Sequence, residues 1–584
     1  MRPVADILEA AVSEAIFSVT GEQSPAFVRA SNNPDFGDYQ ANGVMAAARR
    51  NRLNPGELAA KVVEKLDVSD YCFEPEVAGP GFINLRLKPE YISSALLEIA
   101  SDSERLGIEK TADDKTVVVD YSGPNIAKEM HVGHLRSTII GDCICHLKEF
   151  LGANVIRQNH IGDWGTQFGM LCALLEQKRE SGESPSMALS DLESFYKEAK
   201  QLYDSDEAFA KTARAAIAGL HRGETHWKQN WLDIVEESRK HYQQIYSELN
   251  VSLTKEDERG ESAYKDKLQA VVDSLKDSGL ASVSDGAVCV FPEGFKTKDD
   301  TPMPFIVQKS DGAFLYATTD LAALTFRVRE LGADEVIYVT DARQMLHFNM
   351  LFAVARMAGI ADGIDLQHVT FGTMLGEDGK PFKTRSGDTV KLKDLLEEAV
   401  EKAYAVVCEK NPALSDEQKR KIAKMVGIGA VKYSDFSNNR TTDYVFSFDK
   451  MLAMEGNTAP YMQYACARVN SIERKAAEKG IDVAGQLADA KQLVITEAPE
   501  RELAIHLLKY SQAIIAAAAE FKPNYLTTYL YELAQKFSAF YTNCPVLSAG
   551  EDKMPTRLML CKLTHRTLSH GLEGLLRIDV PEQM

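Results

Sequence analysis

The stretch from Thr116 to Gly152 limits this chain's fold more than any other. It begins with Thr116-Val-Val-Val-Asp120-Tyr121, an unbroken apolar run of the kind buried inside a parallel sheet. A turn follows, Ser122-Gly-Pro-Asn125-Ile-Ala-Lys128-Glu-Met, and then His131-Val-Gly133-His134 opens a helix that continues to Leu151 and stops at Gly152. A strand passing into a helix leaves the unpaired N–H groups and the positive dipole end at the turn, where phosphate is favoured. Gly133 lets a nucleotide lie on the backbone, and imidazoles at both ends of a three-residue step can grip a phosphate chain as its charge shifts. The competing reading is a pair of surface histidines beside a helix start. The strand before and the helix behind favour phosphate.

The same alternation continues. Asn154-Val-Ile-Arg157-Gln-Asn-His160 reads as the next strand. Later, Phe314-Leu-Tyr316 reads as a strand leading to a helix after Asp320. Glu335 to Val339 is a strand, Gln344 to Met357 a helix, and Leu366 to Phe371 a strand. Crossovers of this kind build an open parallel sheet with helices on both faces, and ligands bind beyond the C-terminal strand ends. Between the halves, from about residue 171 to 300, lies a charged, largely helical insertion with no evident chemistry of its own.

The flanks differ. Residues 1–112 mix helical periodicity with a strand-like Gly79-Pro-Gly81-Phe-Ile-Asn-Leu-Arg86-Leu and end in a polar linker, which predicts a separate α+β domain. Past residue 441 amphipathic helices take over at Tyr461–Lys479, Glu500–Phe521, Tyr525–Asn543 and Lys553–Leu575, separated by Pro and Gly breaks. The expected architecture is a multidomain α/β protein: an α+β domain (1–112), a parallel-sheet domain with its insertion (113–440) and an α-helical bundle (441–584).

Bulk properties agree with this and exclude other classes. A chain of 584 residues exceeds what one hydrophobic core supports. No apolar run is long enough to span a bilayer, and the acidic, periodic N-terminus is unlike a signal peptide, so a cytoplasmic protein is expected. The nine cysteines are scattered. Cys143 and Cys145, the one close pair, have the spacing of neither a zinc knuckle nor a redox motif, and His146 beside them reads as packing. A net charge of −19 argues against a protein that coats nucleic acid through a basic surface, yet it permits a local basic groove and suits a cationic small substrate.

Beyond the last expected strand comes Gly372-Thr-Met-Leu-Gly376-Glu-Asp-Gly379-Lys380-Pro-Phe-Lys383-Thr-Arg385-Ser-Gly387, a glycine-punctuated loop with three cations. Glycines confer mobility and cations seek phosphate, so such a loop can close over a triphosphate as pyrophosphate leaves. By itself it reads more readily as a solvated surface loop with incidental lysines.

Together, the early histidine motif and the later cationic loop resemble the paired signatures of class I aminoacyl-tRNA synthetases, His-Ile-Gly-His and Lys-Met-Ser-Lys-Ser. Further blocks are similar to the arginyl-tRNA synthetase family: Ser122-Gly-Pro-Asn125-Ile-Ala-Lys128, Asn159-His-Ile-Gly162-Asp163-Trp164-Gly165-Thr-Gln167-Phe-Gly169, Leu315-Tyr316-Ala-Thr-Thr-Asp320, Glu455-Gly-Asn457-Thr-Ala-Pro460-Tyr461-Met-Gln463-Tyr464-Ala-Cys-Ala-Arg468, and Phe540-Tyr541-Thr-Asn-Cys544-Pro545. Asn33-Pro-Asp-Phe36-Gly37-Asp38-Tyr39-Gln40 looks like that family's extra N-terminal domain. The likeness spans nearly the whole chain.

The resemblance implies a Rossmann-like catalytic domain, and arginine plus ATP giving arginyl-adenylate and pyrophosphate, followed by transfer to the terminal ribose of tRNA(Arg). His131, Gly133, His134 and Lys128 would bind ATP, with His131, His134, Lys128, Lys383 and Arg385 acting in catalysis. A guanidinium calls for planar, bidentate acceptors, which Asp120 at a strand end and Asp320 near a helix start are placed to supply. By family position, Asn125, Tyr316 and Gln344 would complete the arginine pocket. The alternatives are an N-cap for Asp320, core for Tyr316 and a surface amide for Gln344. Hydrogen-bond readout of a guanidinium can reach roughly 10⁴-fold discrimination, so no editing domain is needed.

The second motif is degenerate. Thr384 stands where the family's second lysine is usual, and Lys128 could reach the same phosphates from the other side. No general base is required, because the arginine carboxylate is already an ionised nucleophile. Mg²⁺ is expected to arrive with ATP, without a dedicated protein metal site. In the bundle, Asn457, Tyr461, Tyr464 and Arg468 offer stacking faces, an amide and a phosphate partner for splayed bases, while Asn33, Phe36, Tyr39 and Gln40 would touch the tRNA elbow. Tyrosines at helical spacing also read as core. Neither DNA nor a membrane is an expected partner, and the family leans towards monomers. The rivals are a small-molecule adenylyltransferase, usually a much shorter chain, and a non-catalytic tRNA-binding or amino-acid-sensing relative.

Overall fold

A computed structural model describes the chain apart from Met1, Asn32, residues 383–389 and Asp489. It divides into two compact units, one of residues 112–453 with 575–579, the other of residues 1–111 with 454–574 and 580–584.

The first unit is built on a parallel sheet of β1 (Thr116–Asp120), β2 (Asn154–Gln158), β3 (Glu335–Asp341) and β4 (Asp365–Phe371), in the spatial order β4-β3-β1-β2. Tyr338 sits opposite Asp120 on one side and His368 on the other, which sets the register. Val118, Val336 and Leu366 on adjacent strands pack with Leu321, Leu324, Phe348 and Phe352 to form its core. The main helices of this unit are α1 (Val132–Phe150), α2 (Thr225–Glu248), α3 (Tyr316–Arg329), α4 (Met345–Met357) and α5 (Asp416–Phe436); the core partners Leu321 and Leu324 lie on α3, Phe348 and Phe352 on α4. Helix α1 is buried almost all round from Leu135 to Cys145, with Cys143 and Cys145 as apolar filling.

Three expectations change here. The insertion is helical only in part, because Ala281–Ser284, Ala287–Val290 and Phe305–Gln308 form an antiparallel sheet. Helix α3 begins at Tyr316, so Asp320 lies inside the helix and caps nothing; Leu315 is the N-cap. Buried positions at Ala317, Leu321 and Leu324 have helical spacing, and Phe314 joins only an isolated bridge to Gln308. Finally, strand pairing does not end at residue 441, since Tyr444–Val445 runs parallel to Met374–Leu375.

The second unit carries a four-stranded antiparallel sheet, ordered Val28–Ala30, Tyr39–Ala41, Phe82–Leu85, Glu76–Ala78, with flanking helices, and the helices of the bundle. The long helix expected over Glu500–Phe521 is two, Ala498–Leu508 and Tyr510–Ala519, broken at Lys509. Segments expected as separate N- and C-terminal domains share this unit. The Arg501 guanidinium donates to both Asp38 oxygens at 3.2 and 2.8 Å and to the Leu87 carbonyl at 3.0 Å, and the Leu493 amide donates to Ser93 Oγ at 2.7 Å.

Gly141 lets α1 close onto the segment after β1: a methyl there would overlap Cβ and Cγ of Tyr121, itself fully buried. Gly141→Ala is therefore expected to lower stability by about 1–3 kcal/mol through overpacking, read from urea unfolding.

Candidate active site

From β1 the chain passes through α1 to β2 on one side, whereas β3 lies on the other side of β1. Such a reversal opens a crevice beyond the carboxyl ends of the two central strands. The turn leaving β1 is held open there against its own preferences. Ser122 has φ of 70° and Ala127 of 61°, both in the left-handed region that costs an L-residue energy. Its backbone is pinned by side chains: the Ser122 amide donates to Ser137 Oγ (2.9 Å), the Gly123 amide to Asn159 Oδ1 (3.1 Å) and the Ala127 amide to Ser238 Oγ (3.0 Å). Ser122 Oγ lies 2.7 Å from the Tyr246 hydroxyl. Ser238 and Tyr246 belong to α2, so the insertion has a function the sequence did not reveal: it clamps the turn from outside.

At the end of that turn His131 is the N-cap of α1, and the two histidines satisfy the helix's orphan donors. The Gly133 amide donates to His131 Nδ1 at 3.0 Å and the His131 amide donates to His134 Nδ1 at 3.1 Å. An Nδ1 that accepts from the backbone carries no hydrogen, so each neutral ring holds its proton at Nε2. Burial lowers the proton affinity of both rings. His131 is lowered further by the Arg343 and Lys128 charges, and His134, the deeper of the two, falls to about 3. The ring centroids are 4.0 Å apart. Two uncharged donors thus stand side by side at physiological pH. The space over Gly133 belongs to His131, whose Cε1 would lie 2.7 Å from a methyl at that position; the glycine serves the imidazole instead of a nucleotide lying on the backbone.

Beyond β3, Asp341 caps the short turn Ala342–Gln344 and takes a bidentate grip from Arg343, with Nε and Nη2 each 2.8 Å from a carboxylate oxygen. Arg343 stays largely exposed. Four residues on, His347 Nε2 lies 2.6 Å from Asp320 Oδ2. The Asp320 charge also acts on Glu261, whose carboxyl is pushed up to about 8 by burial and by the Asp163 and Asp320 charges. Asp163 accepts from the amide and hydroxyl of Ser262 at 2.8 and 2.6 Å. Tyr316, one turn before Asp320, is 71% exposed and is influenced by Glu261. Segment 341–347 therefore bears on both halves of the site: the Arg343 charge acts on His131, and His347 bonds to Asp320.

Other expected residues have varied fates. Lys128 is exposed near His131, with Nζ 4.8 Å from the Tyr196 ring centre. Asn125 is exposed, in a bridge to Gly162, and Gln344 is exposed at the end of its turn. Lys383 and Arg385 lie outside the described residues. Asp120 meets a guanidinium, but the chain's own: Arg327, buried in α3, donates to Asp120 Oδ2 at 2.7 Å and lies over the Tyr338 ring. That oxygen holds α3 on the sheet, so the expected role of Asp120 as a direct substrate acceptor would fall to its other oxygen alone. Tyr39 is corrected; at 1% exposure it is core and cannot touch RNA. Phe36 and Asn33 are exposed, and Gln40 donates to Asn84 across the sheet at 2.8 Å. Tyr461, Tyr464 and Arg468 share a partly exposed helix face, where Arg468 donates to the Tyr464 hydroxyl at 3.1 Å, while Asn457 is partly buried just before the helix. Sequence reasoning missed Glu261, Arg343 and His347, since no local pattern marks a carboxylate or cation whose partners lie tens of residues away.

Comparison with known proteins supplies the remaining information. The catalytic domain of class I (R) tRNA synthetases matches residues 95–448, the DALR anticodon binding domain residues 462–584, and the arginyl tRNA synthetase N-terminal domain residues 4–87. The arginine–tRNA ligase of Hahella chejuensis is 49% identical over 581 residues, 99% of each chain, and that of Haemophilus influenzae 48% over 584 residues, 100% of each. Among solved structures, arginyl-tRNA synthetases of Plasmodium falciparum (TM-score 0.84, 29% identity) and Thermus thermophilus (TM-score 0.81, 26% identity) are each covered at 100%, as is this chain. On this similarity over its whole length, the chain belongs to the arginyl-tRNA synthetase family of class I tRNA synthetases.

Proposed function

We infer that this protein ligates L-arginine to tRNA(Arg): ATP and arginine first give arginyl-adenylate and pyrophosphate, and the arginyl group then passes to the terminal ribose. The observation that carries this reading is the segment Asp341–His347, which connects a pair of neutral imidazole donors to an acidic group at the mouth of a parallel sheet. A triphosphate calls for the first and a guanidinium for the second.

The arginine side chain enters between Asp320 and Glu261, with Tyr316 at the mouth and Asn125 and Gln344 at its polar end. Its carboxylate attacks the α-phosphorus and pyrophosphate departs. The Nε2–H groups of His131 and His134 donate to phosphate oxygens, and being uncharged they hold the nucleotide without repelling Lys128 or Arg343. Those two cations offset charge on the leaving pyrophosphate. Both Asp341 oxygens are engaged by Arg343, which fits Mg²⁺ that enters on the nucleotide and takes its ligands from phosphate and water.

Catalysis is proposed for residues 113–440 and tRNA contacts for 1–112 and 441–584. One face of helix Ala459–Glu478 carries Tyr461, Tyr464, Arg468 and Lys475 and leads to a cavity of about 370 Å³ lined by Lys475, Lys479 and Tyr541, which suits a splayed base and its phosphate. Asn457 precedes this face, and Phe36 and Asn33 are the N-terminal candidates. A monomer in the cytoplasm is the proposed state; no described helix is long and apolar enough to cross a membrane.

The defining assay is arginine-dependent exchange of pyrophosphate into ATP, run with and without tRNA(Arg). Exchange that depends on another amino acid would overturn the assignment. Asp320→Ala is expected to weaken arginine binding by about 100-fold, through loss of a charge-assisted acceptor, while ATP affinity stays within about twofold. Equal arginine affinity in both proteins, measured by calorimetry, would refute that role.

Lys128→Ala should slow adenylate formation by about 10- to 100-fold. Near-normal exchange in Lys128→Ala, with its loss in Lys383→Ala, would transfer the phosphate role to the later loop.

Glu261 predicts a pH signature. With its carboxyl raised to about 8, the free protein at pH 7 holds it mostly neutral, whereas a bound guanidinium favours the carboxylate. Binding therefore releases close to one proton per arginine at pH 7, and affinity rises with pH until about 8. The sign for stability is opposite: the folded carboxyl binds its proton more tightly than the unfolded one, so raising pH from the ordinary carboxylate range through about 8 destabilises the unliganded fold. Calorimetry of arginine binding in buffers of different ionisation enthalpy checks the release, and Glu261→Gln should abolish it.

A further inference from the structure

Arg136 is the fifth residue of α1, two beyond His134, and it is 1% exposed. A buried guanidinium is costly to keep unless its donors are engaged. Here, with Nη2 left without a hydrogen-bond partner among the described residues, it joins four pieces of chain. Nε forms an ion pair at 2.8 Å with Asp435 on α5, also 1% exposed, and Nη1 donates to the Gly372 carbonyl at 2.7 Å and, more weakly, to that of Thr442 at 3.4 Å. The plane is packed against aromatic rings, its carbon 5.1 Å from the Tyr444 ring centre and 5.7 Å from that of Phe371.

The carbonyl it grips is the first residue past β4. Gly372 has no room for a side chain, since a methyl would lie 2.6 Å from the Thr442 carbonyl, and its amide donates to the Arg440 carbonyl at 2.9 Å. The chain comes back to α1 further on: the Val132 amide donates to the Val390 carbonyl (3.1 Å) and the Leu392 amide to that of Met130 (2.9 Å), with His131 opposite Lys391 in an antiparallel bridge. The backbone around His131 is thus pinned from one side by Val390–Leu392, and the helix one turn further on by Arg136 to the end of β4 and to α5.

We propose that Arg136 is a positioning residue for adenylate formation: through Asp435 and the Gly372 carbonyl it sets the placement of the His131–His134 pair relative to the C-terminal ends of the sheet. It touches no substrate and acts through the first turn of α1. The assignment rests on the functional reading above. The acidic end of the arginine pocket is built by other elements, α3 and the segment around Glu261, so loss of Arg136 separates it from the histidine half of the site.

Arg136→Lys keeps the charge but lacks the planar fork that meets a carboxylate and a carbonyl at once. In arginine-dependent pyrophosphate exchange with tRNA(Arg) present, kcat is expected to fall about 100-fold, the cost of misplacing reacting groups by about 1 Å. Arginine affinity, measured by calorimetry without ATP, should stay within about twofold. Asp435→Asn should give the same split, and it carries the test if the lysine variant does not fold.

Retention of kcat within about threefold in a folded variant would overturn the proposal, as would a parallel loss of kcat and arginine affinity. Wild-type protein without arginine-dependent exchange would instead end the functional reading on which it rests.

Discussion

Two hydrogen bonds at the first turn of α1 organise the rest of the site. By accepting backbone N–H groups at Nδ1, His131 and His134 complete the helix start that their own sequence position creates, and in doing so fix which nitrogen carries the proton. A helix N-terminus already favours anions through its dipole and free amides. Replacing those amides with imidazole Nε2–H groups moves the donors outward by the width of a ring. Burial, joined at His131 by the Arg343 and Lys128 charges, keeps the rings uncharged, so what they offer is directional donation, and the positive charge resides in the neighbouring side chains.

Around this turn the protein uses buried guanidinium–carboxylate pairs as joints. Arg327 with Asp120 ties α3, and hence Tyr316 and Asp320, to the end of β1; Arg136 with Asp435 ties α1 to α5 and the end of β4. Such pairs add little net stability, because desolvation consumes most of the Coulombic gain, but they tolerate few alternative arrangements. That suits a site whose parts come from strands and helices far apart in the chain. There is a chemical economy here too: a protein whose proposed substrate presents a guanidinium satisfies one nearby carboxylate with its own arginine, leaving Asp320 and Glu261 as the acids without an internal guanidinium partner among the bonds seen.

The acidic group shows how geometry changes chemistry. Asp163, Glu261 and Asp320 are ordinary carboxylates in sequence, but burial of Glu261 beside the other two charges raises its carboxyl to about 8. Protonation of Glu261 near neutral pH removes that like-charge repulsion in the unliganded protein, and the proposed guanidinium would take the proton's place.

The parallel-sheet architecture, the strand-to-helix turn bearing His131 and His134, and the helical bundle were legible in the sequence because each depends on local periodicity and on capping residues close in the chain. The family likeness was legible because its motifs are contiguous. Asp320 was found by its motif but placed wrongly at a helix start, since the helical spacing of Ala317, Leu321 and Leu324 is easily confused with a strand end. What only the tertiary structure decided are the pairings across long stretches of chain: Asp120 with Arg327, Glu261 with Asp320, Arg136 with Asp435, the clamp of α2 on the Ser122 turn, and the shared unit of the two chain ends. Local sequence determines which elements can form. Which charges meet, which are buried and which remain for a ligand is decided by packing, because the energy of a charge depends on neighbours that sequence order does not bring together.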